Sequence, residues 1–268
     1  MLRKKSGSVE WLEFELLQEF PEVKHGVFLK HGGGEGELVI YDRQEDKRVL
    51  QANQEKVRQI IGCEKLIEGK GCHGADILEV SHEKSSLEKY DGLITKDEGL
   101  GLLINHADCQ AAIFYDPVQK VIGNVHSGWR GNVQNIYKNT ICTMQKTYGT
   151  KPSDLVVCIS PSLGPCCGEF KNYKEELPEY FCEHQEKPTY FNLWEVSKRQ
   201  LLDYGVLAAR IEIASLCTMC KPEDFYSYRR DKTTRRNGTV VALRGSCKTQ
   251  GSSNFGIILT DFRSFSGG

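Results

Sequence analysis

Neither sign of charge is in excess. Thirty-five Lys and Arg stand against thirty-six Asp and Glu in 268 residues, a formal net charge of -1. A chain that works on nucleic acid or on an anionic membrane surface usually carries a basic surplus, so neither partner is expected. No stretch approaches the roughly eighteen consecutive apolar residues of a membrane span. The opening MLRKKSGSVEWLEFELL is basic but lacks the unbroken apolar core of a secretory signal. Internal repeats and linker-like tracts are missing too, which leaves one α/β domain over residues 1–268 with a polar extension from about residue 246. The expected location is the cytoplasm.

Cysteine, by contrast, is plentiful: eleven, an odd number. Secretion would leave one unpaired, whereas a reducing compartment tolerates them all as thiols. Most are therefore expected to be reduced and buried, with one or two retained for reactivity.

Hydrophobic periodicity divides the chain into elements. HGGGEGE (31–37) reads as a turn, followed by a polar helix over 45–62 with Val49, Ala52, Val57 and Ile60 on its apolar side. GLGLLINHADCQAAIFYDP (99–117) splits into two strands, and KVIGNVHSG (120–128) gives a third. After GWRG the period becomes helical, with Val133, Ile136, Tyr137, Thr140, Ile141, Met144 and Tyr148 on one face. DLVVCIS (154–160) is a buried strand that runs into the Pro- and Gly-rich loop PSLGPCCGEF. Asn192 and Glu195 have capping-box spacing ahead of a helix ending at Gly205. ARIEIASLC, FYSYRR and TVVALRG complete the set as strands, the last two flanking the charged turn DKTTRRNG.

Chemistry concentrates where these strands end. Cys109 and His126 each lie where an apolar run meets a polar or glycine-rich segment, the place where strands hand side chains to a pocket. Brought together, they make either a thiolate nucleophile activated by an imidazole or two ligands of a zinc site. Packed, inert side chains are the plain alternative. His73, in GCHGADILEV, is the candidate third ligand. The Cys217–Cys220 C-x-x-C has no second pair at zinc-finger spacing and reads as structural, as do the adjacent Cys166 and Cys167. Arg130 in SGWRGN and the four arginines within YRRDKTTRR suit an oxyanion or phosphate.

Taken in order, CHGAD, HADCQAAIFYD, NVHSGWRGN, GPCCGEF, SLCT and FYSYRRD resemble the YfiH-type laccase-domain family. That family was named for multicopper polyphenol oxidoreductases and later described as zinc-dependent purine nucleoside phosphorylases. The resemblance runs from about His25 to Leu243. It implies an αββα-type sandwich, related in architecture to cysteine-dependent toxin deamidases, with His73, Cys109 and His126 as metal ligands. It also implies zinc, phosphorolysis of adenosine, inosine, guanosine and methylthioadenosine, and deamination of adenosine. The partners implied are a small-molecule nucleoside and phosphate. Cys72, His106, Arg235 and the Leu29–Lys30 pair depart from the family pattern, as does ELVIY, and the changes are expected on the substrate side.

Cys109, His126 and Asp108 are accordingly the catalytic candidates, Asp108 to orient a ligand or shuttle a proton. Arg130, Lys30, Arg229 and Arg230 are the candidates for holding phosphate. Two other chemistries compete. A copper-dependent, laccase-type polyphenol oxidase needs about ten histidine-rich ligands, and the chain has seven histidines. A metal-free cysteine hydrolase would use Cys109 and His126 alone.

Overall fold

A computed structural model of the chain describes residues 1–32, 36–69, 71–83 and 90–245. The extension from about residue 246 and part of the 31–37 glycine turn lie outside the described residues. In chain order the strands are β1 (Leu2–Ser6), β2 (Val9–Glu13), β3 (Val23–Phe28), β4 (Lys65–Gly69), β5 (Ile77–Glu79), β6 (Gly92–Thr95) and β7 (Leu100–His106). They continue with β8 (Gln110–Asp116), β9 (Val121–Ser127), β10 (Val156–Ile159), β11 (Gln185–Lys187), β12 (Tyr190–Phe191), β13 (Ile211–Ile213) and β14 (Asn237–Leu243). The helices are α1 (Lys47–Ile61), α2 (Trp129–Val133), α3 (Ile136–Tyr148), α4 (Tyr173–Glu176), α5 (Leu193–Asp203) and α6 (Tyr228–Asp231).

Two six-stranded sheets carry the fold, in the orders β1-β2-β3-β14-β7-β4 and β13-β10-β8-β9-β6-β5. Only β4–β7, β10–β13 and β5–β6 pair in parallel within them; the other neighbours are antiparallel. The central strands β7, β8, β9 and β14 are buried on both faces, and the period-2 alternation sorts side chains between layers. Leu102, Ile113 and Val241 point into the space between the sheets, where they meet Leu93, Ile122 and Val156. Their sequence neighbours Leu103 and Val240 face outward beneath α1, and Phe114 faces outward beneath α3. The layers therefore run α1, sheet, sheet, α3. Each fully buried Leu or Phe contributes about 1.5–3 kcal/mol to holding them.

Capping fixes the helices. The Asp46 side chain accepts from the Arg48 N–H, and Gly62 closes α1 at φ +76°. The stripe α1 buries is Asn53, Val57 and Ile61, whereas Val49, expected on the apolar side, is exposed. The helix expected after GWRG is two helices. Asn135 adopts φ +53°, ends α2 and caps α3 by accepting from the Lys138 N–H. Asn192 likewise accepts from the Glu195 N–H at the start of α5, and Gly205, at φ +89°, follows its end.

Two expected strands differ. ARIEIASLC contributes only Ile211–Ile213, because a 3-10 turn precedes it and a loop follows. FYSYRR forms no strand. Ser227 accepts from the Arg230 N–H and caps the short helix α6, and the Arg230 guanidinium is spent on carbonyls of its own neighbourhood. Among the described residues no helix is long and apolar enough to cross a membrane.

Candidate metal centre

The β7–β8 connection passes from one sheet to the other in three residues, Ala107–Asp108–Cys109. Asp108 makes the turn at φ +77°. This puts Cys109, half-buried, between the end of β7 and the start of β8, where it lines a cavity. The β8–β9 hairpin then pairs Gln110 with Ser127 and Ala111 with His126, so His126 returns beside the segment that carries Cys109. His73 arrives from a separate loop, itself at φ +61°. The ligand atoms of His73, Cys109 and His126 all lie within 4.8 Å of one another. The three side chains run from exposed through half-buried to buried, so the triangle is open on the His73 side.

Asp91, just ahead of β6, organises this triangle and has no exposed surface. One carboxylate oxygen accepts from the His73 N–H at 2.9 Å and meets His126 Nδ1 at 3.1 Å. The other accepts from the Gly74 N–H at 2.7 Å and from Cys72 Sγ at 3.0 Å. Burial alone would raise its pKa, but these donors hold it well below the usual carboxylate range. With Nδ1 turned to Asp91, His126 presents Nε2 to the thiol. A carboxylate behind a ligating histidine is the common outer partner of a metal-bound imidazole.

Burial disfavours charge on Cys109 and His126 alike, yet each overcomes it. The positive His126 and hydrogen bonds from both histidines bring the Cys109 thiol below its ordinary value. The Cys109 thiolate, followed by Asp91, lifts His126 above its own. A preformed thiolate with two imidazoles suits a tetrahedral ion that keeps one position open. The surroundings are shaped to match. A Cβ on Gly128 would sit 3.1 Å from Cys109 Sγ and 3.2 Å from His73 Cδ2, and one on Gly71 would sit 3.0 Å from His126 Nδ1. Only glycine leaves that space clear.

A cavity of about 550 Å³ opens over the triangle. Trp129, Phe170 and Tyr228 give it aromatic walls, and Arg130, Lys171, Arg229 and Lys232 give it positive charge. Arg130 lies over the Trp129 ring at 4.4 Å.

The structure brings Asp108, Arg130 and Arg229 to this cavity but not Lys30 or Arg230. Lys30 faces Glu37 at 3.7 Å, and Arg230 donates to the carbonyls of Thr218, Met219 and Phe225. Both oxygens of Asp108 are engaged, one by the Thr218 hydroxyl at 2.7 Å and the other by the Arg229 N–H at 2.6 Å. The expected substrate-side departures lie elsewhere. Leu29 is core, Cys72 backs Asp91, and Arg235 pairs with Glu37 at 2.7 Å. His106 is buried, with Nδ1 at the Cys109 carbonyl (3.1 Å) and Nε2 at the Thr239 hydroxyl (2.8 Å). Burial, with help from the nearby positive His126, lowers its pKa to about 3.

Sequence reasoning missed Asp91, Gly128, Lys232 and the aromatic walls. In KYDGLIT the aspartate reads as a turn residue before a strand, and nothing local marks it. The cysteines are also less buried than expected. Of those described, Cys63, Cys158 and Cys217 are buried.

Fold and site together define a two-sheet α/β protein with a His–Cys–His ligand triangle beneath an aromatic, cationic cavity. The chain belongs to the family described as multi-copper polyphenol oxidoreductase laccase, which it matches over residues 28–244. It is 28% identical over 246 residues to a purine nucleoside phosphorylase of Bacteroides thetaiotaomicron, covering 82% of this chain and 90% of that one. It is 31% identical over 202 residues to the purine nucleoside phosphorylase LACC1 of Mus musculus, spanning 70% of this chain but only 46% of that protein. The fold is similar to that of YlmD from Geobacillus stearothermophilus, with a TM-score of 0.78 at 25% identity, covering 90% of this chain and 98% of that one. YfiH from Bacillus licheniformis is equally similar, with a TM-score of 0.79 at 25% identity, covering 90% of this chain and 99% of that one.

Proposed function

We propose that this protein is a zinc-dependent purine nucleoside phosphorylase that also deaminates adenosine. The observation that carries the reading is the His73–Cys109–His126 triangle at the floor of a cavity with flat aromatic and cationic walls. His73, Cys109 and His126 would hold the zinc, which would supply a Lewis acid there. Trp129, Phe170 and Tyr228 offer faces on which a purine stacks. Arg130, Arg229 and Lys232 neutralise and orient the phosphate dianion. During phosphorolysis a phosphate oxygen forms the bond to C1′ of the ribose. The C1′–N9 bond breaks and its electron pair leaves on the purine. The proton that the hydrogen phosphate dianion carried ends, directly or through water, on the purine, leaving ribose 1-phosphate as its dianion. Asp108 serves as a positioning residue, since it fixes Thr218 and the first turn of α6.

One observation favours a second reading. Asp91, His126 and Cys109 form a carboxylate–imidazole–thiol chain, the arrangement of a metal-free cysteine hydrolase. Copper oxidase chemistry has less support. Among the described residues the two groups of three or more close metal donors are this triangle and a set of four cysteines, and neither is a histidine cluster.

The test supplies adenosine, inosine and methylthioadenosine with and without phosphate, and follows free base, ribose 1-phosphate and oxygen uptake. Phosphate-dependent release of base, lost by more than about 10³-fold in both Cys109→Ala and His73→Ala, is the expected result. Substantial activity in His73→Ala, indifferent to chelators, would transfer the chemistry to the cysteine. No turnover by zinc-loaded protein would overturn the phosphorylase reading.

A further inference from the structure

Four more thiols converge away from the cavity floor. Cys166 and Cys167 lie in the loop after β10, and Cys217 and Cys220 in the loop after β13. Distant in sequence, their sulfurs all lie within 4.8 Å of one another. Cys220 Sγ is 3.5 Å from that of Cys166 and 3.4 Å from that of Cys167. A disulfide needs about 2.05 Å and a single partner, and here one sulfur is shared almost equally between two. A tetrahedral ion with Zn–S bonds of about 2.3 Å sets neighbouring sulfurs about 3.8 Å apart. The observed spacing is of that order. An iron–sulfur cluster would interpose its own iron and sulfide and spread the thiolates further.

The scaffolding around the thiols is built rather than incidental. Ser162 N–H donates to the Leu216 carbonyl at 3.1 Å, and Thr218 N–H donates back to Ser162 at 3.0 Å, which locks the loops side by side. The Gly164 N–H points at Cys217 Sγ from 3.3 Å, the kind of donor that accompanies a ligating thiolate. A Cβ on Gly164 would meet the Trp194 ring at 2.8 Å, and one on Gly168 the Phe191 carbonyl at 2.6 Å, so both glycines permit the close turn. The two arginines of YRRD hold one loop each. Arg229 donates to the carbonyls of Cys167 (3.3 Å) and Glu169 (2.7 Å). Arg230 donates to those of Thr218 (3.0 Å) and Met219 (3.1 Å), inside the C-x-x-C itself.

We propose that Cys166, Cys167, Cys217 and Cys220 form a closed tetrathiolate site for one zinc ion, separate from the His–Cys–His centre. Its role is structural. The ion staples the loop that carries Leu163, Glu169 and Phe170, all cavity-lining, to the loop whose Thr218 braces Asp108. Zinc binds as thiol protons leave, so occupancy rises with pH. The ion also protects Cys166 and Cys220, which are otherwise exposed thiols.

The experiment uses the full chain without a metal-binding tag, loaded with zinc and freed of loosely bound metal. Plasma mass spectrometry should find two zinc ions per chain in the wild type, and one in both His73→Ala/His126→Ala and Cys217→Ser/Cys220→Ser. Cobalt replacing zinc in the histidine double variant should give the intense near-ultraviolet charge-transfer absorption of four thiolates. Should a variant not fold, the wild type decides by alkylation. Stripping zinc should speed modification of Cys166 and Cys220 at least tenfold, relative to exposed Cys142 and Cys182. Histidine double variant that folds without zinc, alkylation indifferent to zinc, or a disulfide from Cys220 in protein purified anaerobically would each overturn the proposal. The phosphorylase reading fails on different readouts, because nucleoside turnover enters none of these.

Discussion

Asp91 carries a full charge with no exposed surface, a cost that only its partners offset. All four of those partners act as donors: two backbone N–H groups, the Cys72 thiol and the His126 ring. Asn at this position keeps the shape but presents an amide N–H₂ where one pair of donors expects an acceptor. Asp91→Asn should therefore weaken zinc binding at the centre by about 10–100-fold. Competition against a chelating dye measures this directly. An affinity unchanged within about twofold would remove Asp91 from its orienting role. None of this was legible locally. The three candidate residues were, because His73, Cys109 and His126 each lie where an apolar run meets a polar or glycine-rich segment, whereas a carboxylate ahead of a strand looks like any turn residue.

Elements built on sustained periodicity were readable, and those built on single contacts were not. The apolar runs of β7, β8 and β9 and the 3.6-residue stripe of α3 carry their burial in their own pattern. FYSYRR alternates like a strand, but a capping hydroxyl and a guanidinium wrapped on three carbonyls decide it as α6. The convergence of the cysteine pairs was not legible for the same reason, since only the fold makes neighbours of residues 166–167 and 217–220. Packing of helices onto the site strand shows a further tertiary tie. Gln110, next to Cys109, accepts on Oε1 from the Tyr137 hydroxyl of α3 and from Ser197 of α5, and its amide donates to the Leu193 carbonyl. Tyr137→Phe removes one donor and leaves Gln110 the Ser197 hydroxyl, whose single proton also has the Leu193 carbonyl and Asn132 Oδ1 within reach. Urea unfolding should show a loss of about 1 kcal/mol, with the metal content unchanged. A loss above about 3 kcal/mol would mean that the hydroxyl holds the α3–β8–α5 junction alone.

At the scale of the whole molecule, two buried histidines set the acid limit. His25 accepts the Phe14 N–H on Nε2 at 2.8 Å, a bond that protonation of that nitrogen destroys. Burial lowers its pKa to about 4, and burial with the charge of His126 lowers that of His106 to about 3. Both groups titrate near 6.5 in the unfolded chain. Below that value the unfolded state binds protons that the folded state refuses, so stability rises with pH and falls as pH drops. For His25 the loss begins near pH 6.5 and levels off below the folded value of about 4. At pH 4 it amounts to about 3 kcal/mol for His25 alone. Carboxylates such as Glu22, held near 2 by hydrogen bonds from Lys120 and Tyr115, add their own loss only at lower pH. In metal-free protein the downward shift of Cys109 and the upward shift of His126 oppose each other in proton count, so around neutral pH that pair largely cancels in the slope. Chemical denaturation of chelator-treated protein from pH 7.5 to 4.5 should therefore show stability falling with a slope that approaches two protons. His25→Gln, which retains an acceptor for Phe14, should reduce that slope by about one proton. An unchanged slope in this variant would assign the acid sensitivity to other groups.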